Sequence, residues 1–459
     1  MGENQLEQKT NRITEGPIGR EMIRYFLPLV TGTIFQQVYS LVDAVVIGRF
    51  VGTIGIGAIG GSASTIIYIV TMIVTSLFSG ASVMLSQAYG ARDEERLHRA
   101  LHTLVGFALM ASVVTTVLGV ALSRFMMEMM NTPEELMEYS MQYMVIYFCG
   151  ISTVILYNTG ASILRAVGDS KRPFRYLIVC CVLNVVLDIL LVVVIPMEVV
   201  GAALATVVSQ GISAFLVIRA LVRNREIGGI PFHLSLRLRN LRANFDGRLL
   251  RHQLELGIPG SIQAVAYGVT NIVIQSCING FGTDVVAAWA AYFKTDVIFW
   301  ATMNAFGVTV TTFCGQNFGA GKKDRVIRTT RIGFLQSAVL QGVIIALLIL
   351  FARPILCLFL TDEYVIQIGV QMMYQFMPWY MIAVFLEIFN GSLRGLGDVK
   401  VPTVITVGST LGVRLPWLLI LVPRYHEILT VILSYPLAWG FSLLLTIPYY
   451  LYRKKKVLR

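Results

Sequence analysis

Leu164-Arg165-Ala166-Val167-Gly168-Asp169-Ser170-Lys171-Arg172-Pro173 is written a second time, 229 residues on, as Leu393-Arg394-Gly395-Leu396-Gly397-Asp398-Val399-Lys400-Val401-Pro402. The same offset relates Gln87-Ala88-Tyr89-Gly90-Ala91, followed by Arg96 and Arg99, to Gln316-Asn317-Phe318-Gly319-Ala320, followed by Arg325 and Arg328. Pro28 and Pro259 are 231 apart. The chain is two copies of one design, so the second half repeats whatever fold the first half takes.

Between these polar stretches the chain is apolar. Of its 459 residues 56% are hydrophobic and 14% charged, with mean hydropathy +0.70; soluble domains carry about 25% charged residues. The apolar residues fall into twelve blocks, from 26–49 to 429–451, each long enough to cross a bilayer, for which about 20 residues suffice. This predicts an all-α integral membrane fold: twelve transmembrane helices in two pseudo-symmetric six-helix lobes. The expected lobes are 26–222 and 254–451, with a cytoplasmic N-terminus over 1–25, a basic linker over 223–253 and a basic tail over 452–459. Six spans per copy give both copies one orientation, a parallel repeat about an axis along the membrane normal. Residues 1–24 are polar and the first apolar block is a full span, so no cleavable signal segment is expected.

The net charge of +11 is a topology signal. Assigning the termini and alternate loops to one side places 31 of the 37 Lys and Arg there. The other side holds Arg49, Arg124, Arg353 and Arg424, while Lys294 and Arg414 lie within spans. Such a bias marks the cytoplasmic side, so both termini are expected to be cytoplasmic and the protein to sit in the cell's inner (plasma) membrane. It also leaves no basic patch that calls for nucleic acid. The six cysteines lie in or beside apolar blocks without metal or redox spacing, as small hydrophobic residues would.

Asp43 and Asp188 stand inside apolar blocks, each fifteen residues past a proline, Pro28 and Pro173. At about 1.5 Å per residue both lie roughly 22 Å from the same face. A carboxylate in a bilayer costs on the order of 2.5–3.5 kcal/mol and is a functional-site candidate. Asn184, four residues before Asp188, shares its helix face, and Thr206 in span 6 reaches a similar depth. Carboxylate, amide and hydroxyl oxygens suit a hard cation such as Na⁺. Two acids in one low-dielectric site equally suit a proton held when no cation is bound. The residues themselves leave Na⁺ and H⁺ both open.

The Pro28…Asp43 span, the Gln-x-x-Gly-Ala ends of spans 2 and 8, and the paired Leu-Arg-x-x-Gly-Asp-x-Lys-x-Pro loops together resemble the multidrug and toxic compound extrusion (MATE) transporters over all twelve spans. The resemblance implies an antiporter that expels amphipathic, mostly cationic compounds in exchange for inward Na⁺ or H⁺ by alternating access. Asp43, Asn184, Asp188 and Thr206 further resemble the archaeal and DNA-damage-inducible branch, where this set forms the cation site of the first lobe. In that branch a tyrosine and an asparagine of span 4, here Tyr143 and Asn158, stand nearby. The coupling ion aside, no cofactor is implied; the expected partners are small amphipathic molecules and membrane lipid, and the expected state is a monomer.

The second copy differs. At the 229 offset Asn184 and Asp188 fall on Val413 and Trp417, so the acid site is not duplicated. Span 10 carries Glu387, the counterpart of Asn158, and Lys294, Asp296 and Arg414 add charge. A Glu387–Lys294 or Glu387–Arg414 ion pair is the structural expectation, since intramembrane charges usually pair; a place in the substrate path is the functional one. Gln36, Met72, Glu387 and Lys294 are the candidates for a substrate cavity, with Tyr68, Phe78 and Met84 as further adaptable wall residues.

The Arg-x-x-Gly-Asp loops read as helix punctuation: glycine ends a helix and proline suits a first turn. Gly55-Ile56-Gly57-Ala58-Ile59-Gly60 matches a dinucleotide-binding expression, but it lies between spans, where small residues favour close helix packing. No histidine stands mid-span and no catalytic motif is present, which disfavours a membrane enzyme. A lipid or oligosaccharide flippase is the nearer rival; it would need basic groups in its cavity, which Lys294 and Arg414 could offer.

Overall fold

Apolar segments without water must satisfy their backbone internally, and within one segment only a helix does so. The computed structural model describes residues 11–223, 236, 240–241 and 243–458, and among them every regular element is helical. Positions 1–10 of the expected N-terminal segment therefore lie outside the described residues, as do positions 224–235, 237–239 and 242 of the expected linker and 459 of the expected tail. Among the described residues eleven helices are long and apolar enough to cross a membrane, and a twelfth span is Glu134–Cys149 with Ile151–Ala166, bent by 47° at Gly150.

The helices are α1 (Arg12–Glu15), α2 (Ile18–Phe50), α3 (Thr53–Gly60), α4 (Ser62–Gly90), α5 (Glu94–Met129), α6 (Glu134–Cys149), α7 (Ile151–Ala166), α8 (Lys171–Asp188) and α9 (Glu198–Arg223) in the first copy. The second copy has α10 (Gly247–Asn279), α11 (Thr283–Gly319), α12 (Lys323–Leu350), α13 (Ala352–Leu356), α14 (Glu363–Phe376), α15 (Tyr380–Gly395), α16 (Lys400–Ser409), α17 (Leu415–Tyr425) and α18 (Ile428–Leu458). Several outrun their apolar blocks. The 36 residues of α5 span roughly 54 Å, well past a hydrocarbon core of about 30 Å.

Two compact units form. Unit 1 comprises 1–16 and 27–258, unit 2 comprises 17–26 and 259–459. These borders differ from the expected lobe edges at 26 and 254, because Pro28 and Pro259 lie inside the continuous helices α2 and α10 instead of at their starts. Contacts set the borders. Within unit 2 Tyr25 meets the Thr312 hydroxyl at 3.2 Å and Phe26 stacks on Phe306 at 4.1 Å. Within unit 1 the backbones of α4 and α10 nearly touch, since a Cβ on Gly257 would lie 2.1 Å from the Leu77 carbonyl oxygen.

The repeated loops do structural work. Gly168 and Gly397 take left-handed φ values of 93° and 82°, which glycine adopts without cost. Asp169 accepts the backbone N–H groups of Lys171 and Arg172, both at 3.1 Å, and opens α8 as a cap. Asp398 instead reaches α18, accepting from the Tyr449 hydroxyl and pairing with Arg453 at 2.8 Å. In the glycine-rich stretch, α3 packs on α6 with Gly57 against Leu136.

Candidate functional site

Five helices of unit 1 carry the predicted residues to one place: Asp43 on α2, Tyr143 on α6, Asn158 on α7, Asn184 and Asp188 on α8, and Thr206 on α9. A cavity of about 570 Å³ opens among them, with Asp43, Tyr143, Asn158 and Thr206 on its wall. Asp188 and Asn184 lie behind that wall, 0% and 1% exposed. Asp43 and Asp188 are close enough to interact electrostatically, and Tyr143 feels both.

Several polar atoms here lack partners. Oδ1 of Asp43, both oxygens of Asp188 and both amide atoms of Asn184 are buried without a hydrogen bond. Asn184 therefore does not bond Asp188, although four residues of helix place them on one face. Buried polar groups are normally paired, and an isolated carboxylate in a low-dielectric interior is expensive. The oxygens suit a proton or a small hard cation, either of which would relieve that cost. Asn158 does have a partner, donating to the Val154 carbonyl at 2.9 Å.

One helical turn beyond the acids, unit 1 is packed with apolar side chains. Val46 and Ile47 on α2, Val192 past α8 and Ala202 on α9 form a buried apolar cluster. Each stands three or four residues from Asp43, Asp188 or Thr206. On the opposite side the cavity runs along Gln36, Gly32 and Pro28 of α2 and reaches Arg165, Ser170 and Pro173 at the repeated loop. The acids thus sit at the blind end of a polar cavity that extends toward the loop side. Asp188 is followed by a π-helical stretch, Ile189–Val194, a local widening found often at functional sites.

A family model described as MatE matches residues 28–190 and again 259–420, once in each copy. The chain belongs to the MatE family. As a MatE protein it is a multi-pass membrane transporter and not an enzyme. "Probable multidrug resistance protein YoeA" of Bacillus subtilis is 31% identical over 458 residues, covering 98% of this chain and 97% of its own. "Probable multidrug resistance protein YpnP" of the same organism is 26% identical, with 89% of each chain covered. A solved structure of a MOP superfamily transporter from Pyrococcus furiosus superimposes with TM-score 0.88 over 98% of this chain and 99% of its own, at 19% identity, a likeness of fold alone. The first MatE match contains Asp43, Asn184 and Asp188 and stops before Thr206.

The substrate-cavity candidates separate. Gln36 lines the unit 1 cavity, as does Tyr68, whereas Met72 is half-buried and off its wall. Phe78 lines a small adjoining pocket, and Met84 is core. Glu387 and Lys294 belong to unit 2 of the MatE fold. The expected Glu387–Lys294 or Glu387–Arg414 pair does not form: Glu387 pairs with Arg394, two turns along the same helix, and Lys294 is exposed. Gln210 was missed by the sequence reading; it lines the cavity with a buried, unpartnered Oε1, one turn past Thr206. Also unforeseen is the setting of Asp296, 1% exposed, whose Oδ2 accepts from Trp300 Nε1 at 2.6 Å and the Tyr380 hydroxyl at 2.8 Å. Trp300 lies at i+4 and was findable; Tyr380 comes from another helix.

Proposed function

We propose that this transporter is a secondary active antiporter exporting amphipathic, mostly cationic compounds from the cell across the plasma membrane, in exchange for inward Na⁺ or H⁺. The observation that carries the reading is the set of buried, unpartnered carboxyl oxygens of Asp43 and Asp188 at the blind end of the unit 1 cavity. Asp43 is on the wall, where an organic cation or the coupling ion reaches it. Asp188 and Asn184 stand directly behind it, with the Thr206 hydroxyl and Tyr143 alongside. Cargo and coupling ion then compete for the same negative charge, so that binding of one displaces the other, as exchange requires. The drug-resistance names of the relatives support the cargo class. A flippase handling phosphate groups is the weaker reading for this cavity, whose charged wall residues are Asp43 and Arg165.

The deciding experiment uses purified full-length protein in proteoliposomes, with Na⁺ and pH gradients imposed separately and efflux of a lipophilic cation followed. Asp43→Asn and Asp188→Asn keep size and remove charge, so both should reach the membrane in normal amounts and pump at background. Normal uphill transport by both variants would reject the coupling site. Efflux driven by neither gradient in wild-type protein would reject antiport.

A further inference from the structure

Unit 2 holds the opposite charge problem. Arg414 is 4% exposed at the end of a π-helical turn, Thr410–Arg414. Its Nε and Nη2 are buried without hydrogen-bond partners, and among the described residues no carboxylate forms an ion pair with it. Of the nearby acids, Glu387 pairs with Arg394, and Asp296 accepts from Trp300 and Tyr380 through Oδ2 while its Oδ1 is left without a partner; neither pairs with Arg414. The guanidinium lies over the Tyr435 ring, 3.4 Å from its centroid, and Tyr267 and Tyr380 also stand around it. A cation–π contact offsets only part of the cost of burying a charge unpaired. The ring does not balance the charge.

The repeat makes the contrast specific. At the 229 offset Arg414 falls on Val185, the residue after Asn184. Unit 1 leaves only carboxyl and amide atoms of its charged cluster without partners, whereas unit 2 leaves guanidinium N–H groups without partners, beside one carboxyl oxygen, Asp296 Oδ1. Guanidinium is a planar fork of donors matched to carboxylate and phosphate oxygens.

We propose that Arg414 is the centre of an anion-accepting site within unit 2, taking a carboxylate, a phosphate-type group or a halide beside the Tyr435 ring. The anion supplies the missing counter-charge and fills Nε and Nη2. Its source is either a small ion from solution or the acidic group of a larger solute. The site is independent of the coupling reading for Asp43.

The test is thermal unfolding of the purified full chain in dilute HEPES buffer free of carboxylate, phosphate and halide, each titration being run in parallel on Arg414→Met to separate ionic-strength effects. Sodium chloride, phosphate and benzoate are titrated separately. A ligand that binds only the folded state raises the unfolding temperature in a saturable way. We expect such a rise for at least one probe. It should be unchanged in Asp43→Asn, absent in Arg414→Met, and shifted at least tenfold in half-saturation by Arg414→Lys, which replaces the fork with a point charge. In that buffer alone Arg414→Met should unfold no lower than wild type, because it removes an unpaired buried charge. Chloride alone acting would mark a small-ion site, while preference for benzoate or phosphate would mark the acidic group of a larger solute; both support the proposal. No saturable rise with any probe, or an equal rise in Arg414→Met, overturns it. Should Arg414→Met not purify, an unchanged half-saturation in Arg414→Lys is the overturning result.

Discussion

Glu387 and Arg394 pair with each other two turns apart on α15, and the repeat places Asn158 and Arg165 at the same two positions of α7. The arginine of the repeated loop motif therefore reaches back into the span, and in unit 2 it meets a carboxylate where unit 1 has an amide. Residues seven apart return to one helix face, so the pair forms without help from another element. Glu387→Gln leaves Arg394 partly buried without its partner. We expect a loss of roughly 1–3 kcal/mol, read as lower yield and unfolding temperature with transport per molecule preserved. The double variant Glu387→Gln/Arg394→Gln should recover part of that loss. Normal yield with lost transport would instead place Glu387 in the substrate path.

Asn184→Ala removes an amide whose oxygen and nitrogen are both without protein partners, so the fold should be unaffected. If Na⁺ is bound there, half-maximal efflux should need about tenfold more Na⁺. An unchanged ion requirement in both gradients would remove Asn184 from the site.

The cluster of Val46, Ile47, Val192 and Ala202 packs unit 1 beyond the acids. Ile47→Asn puts a hydrogen-bonding group into that cluster. Proton leak into substrate-free proteoliposomes should rise severalfold, and coupled efflux should fall. A tight membrane with normal coupling would show that the barrier to protons lies elsewhere.

Gly80 and Gly257 let the backbones of α4 and α10 meet within unit 1. A Cβ on Gly80 would lie 2.6 Å from the Gly257 nitrogen, and one on Gly257 2.1 Å from the Leu77 carbonyl oxygen. Backbone cannot rotate aside, so Gly257→Ala should cost about 1–3 kcal/mol. At Gly342 no atom lies within 4 Å of an added Cβ, and Gly342→Ala should be neutral or stabilising. Equal unfolding temperatures for the two variants would refute the contact.

Charge bias predicts the α4–α5 turn to be cytoplasmic and the α5–α6 turn external. Glu94→Cys and Glu135→Cys place thiols at exposed positions of these turns, in a background with the exposed Cys149 and Cys357 replaced by serine. An impermeant thiol reagent on intact cells should label Glu135→Cys and spare Glu94→Cys. The reverse pattern would invert the topology.

By itself the sequence determined the membrane class, the span count, the duplication and the two acids of unit 1. Each of these follows from local quantities: the length of an apolar block, the spacing of glycine and proline, a charge inside a hydrophobic run. Asp43 and Asp188 stand out because a carboxylate among valines and leucines is costly wherever the chain later folds.

Tertiary structure decided who meets whom. That Asp188 and Asn184 keep unpartnered oxygens, that Tyr380 reaches Asp296, that Met72 stands off the cavity wall while Gln210 lines it, all depend on the rotation of each helix about its axis. Rotation is set by packing against neighbours distant in sequence. Arg414 shows the limit most plainly: its charge was visible in the chain, but an ion pair with Glu387 was expected. Helix α15 satisfied that glutamate with its own Arg394, since a neighbour two turns along costs less ordering than a partner on another helix, and the buried guanidinium was left with an aromatic ring.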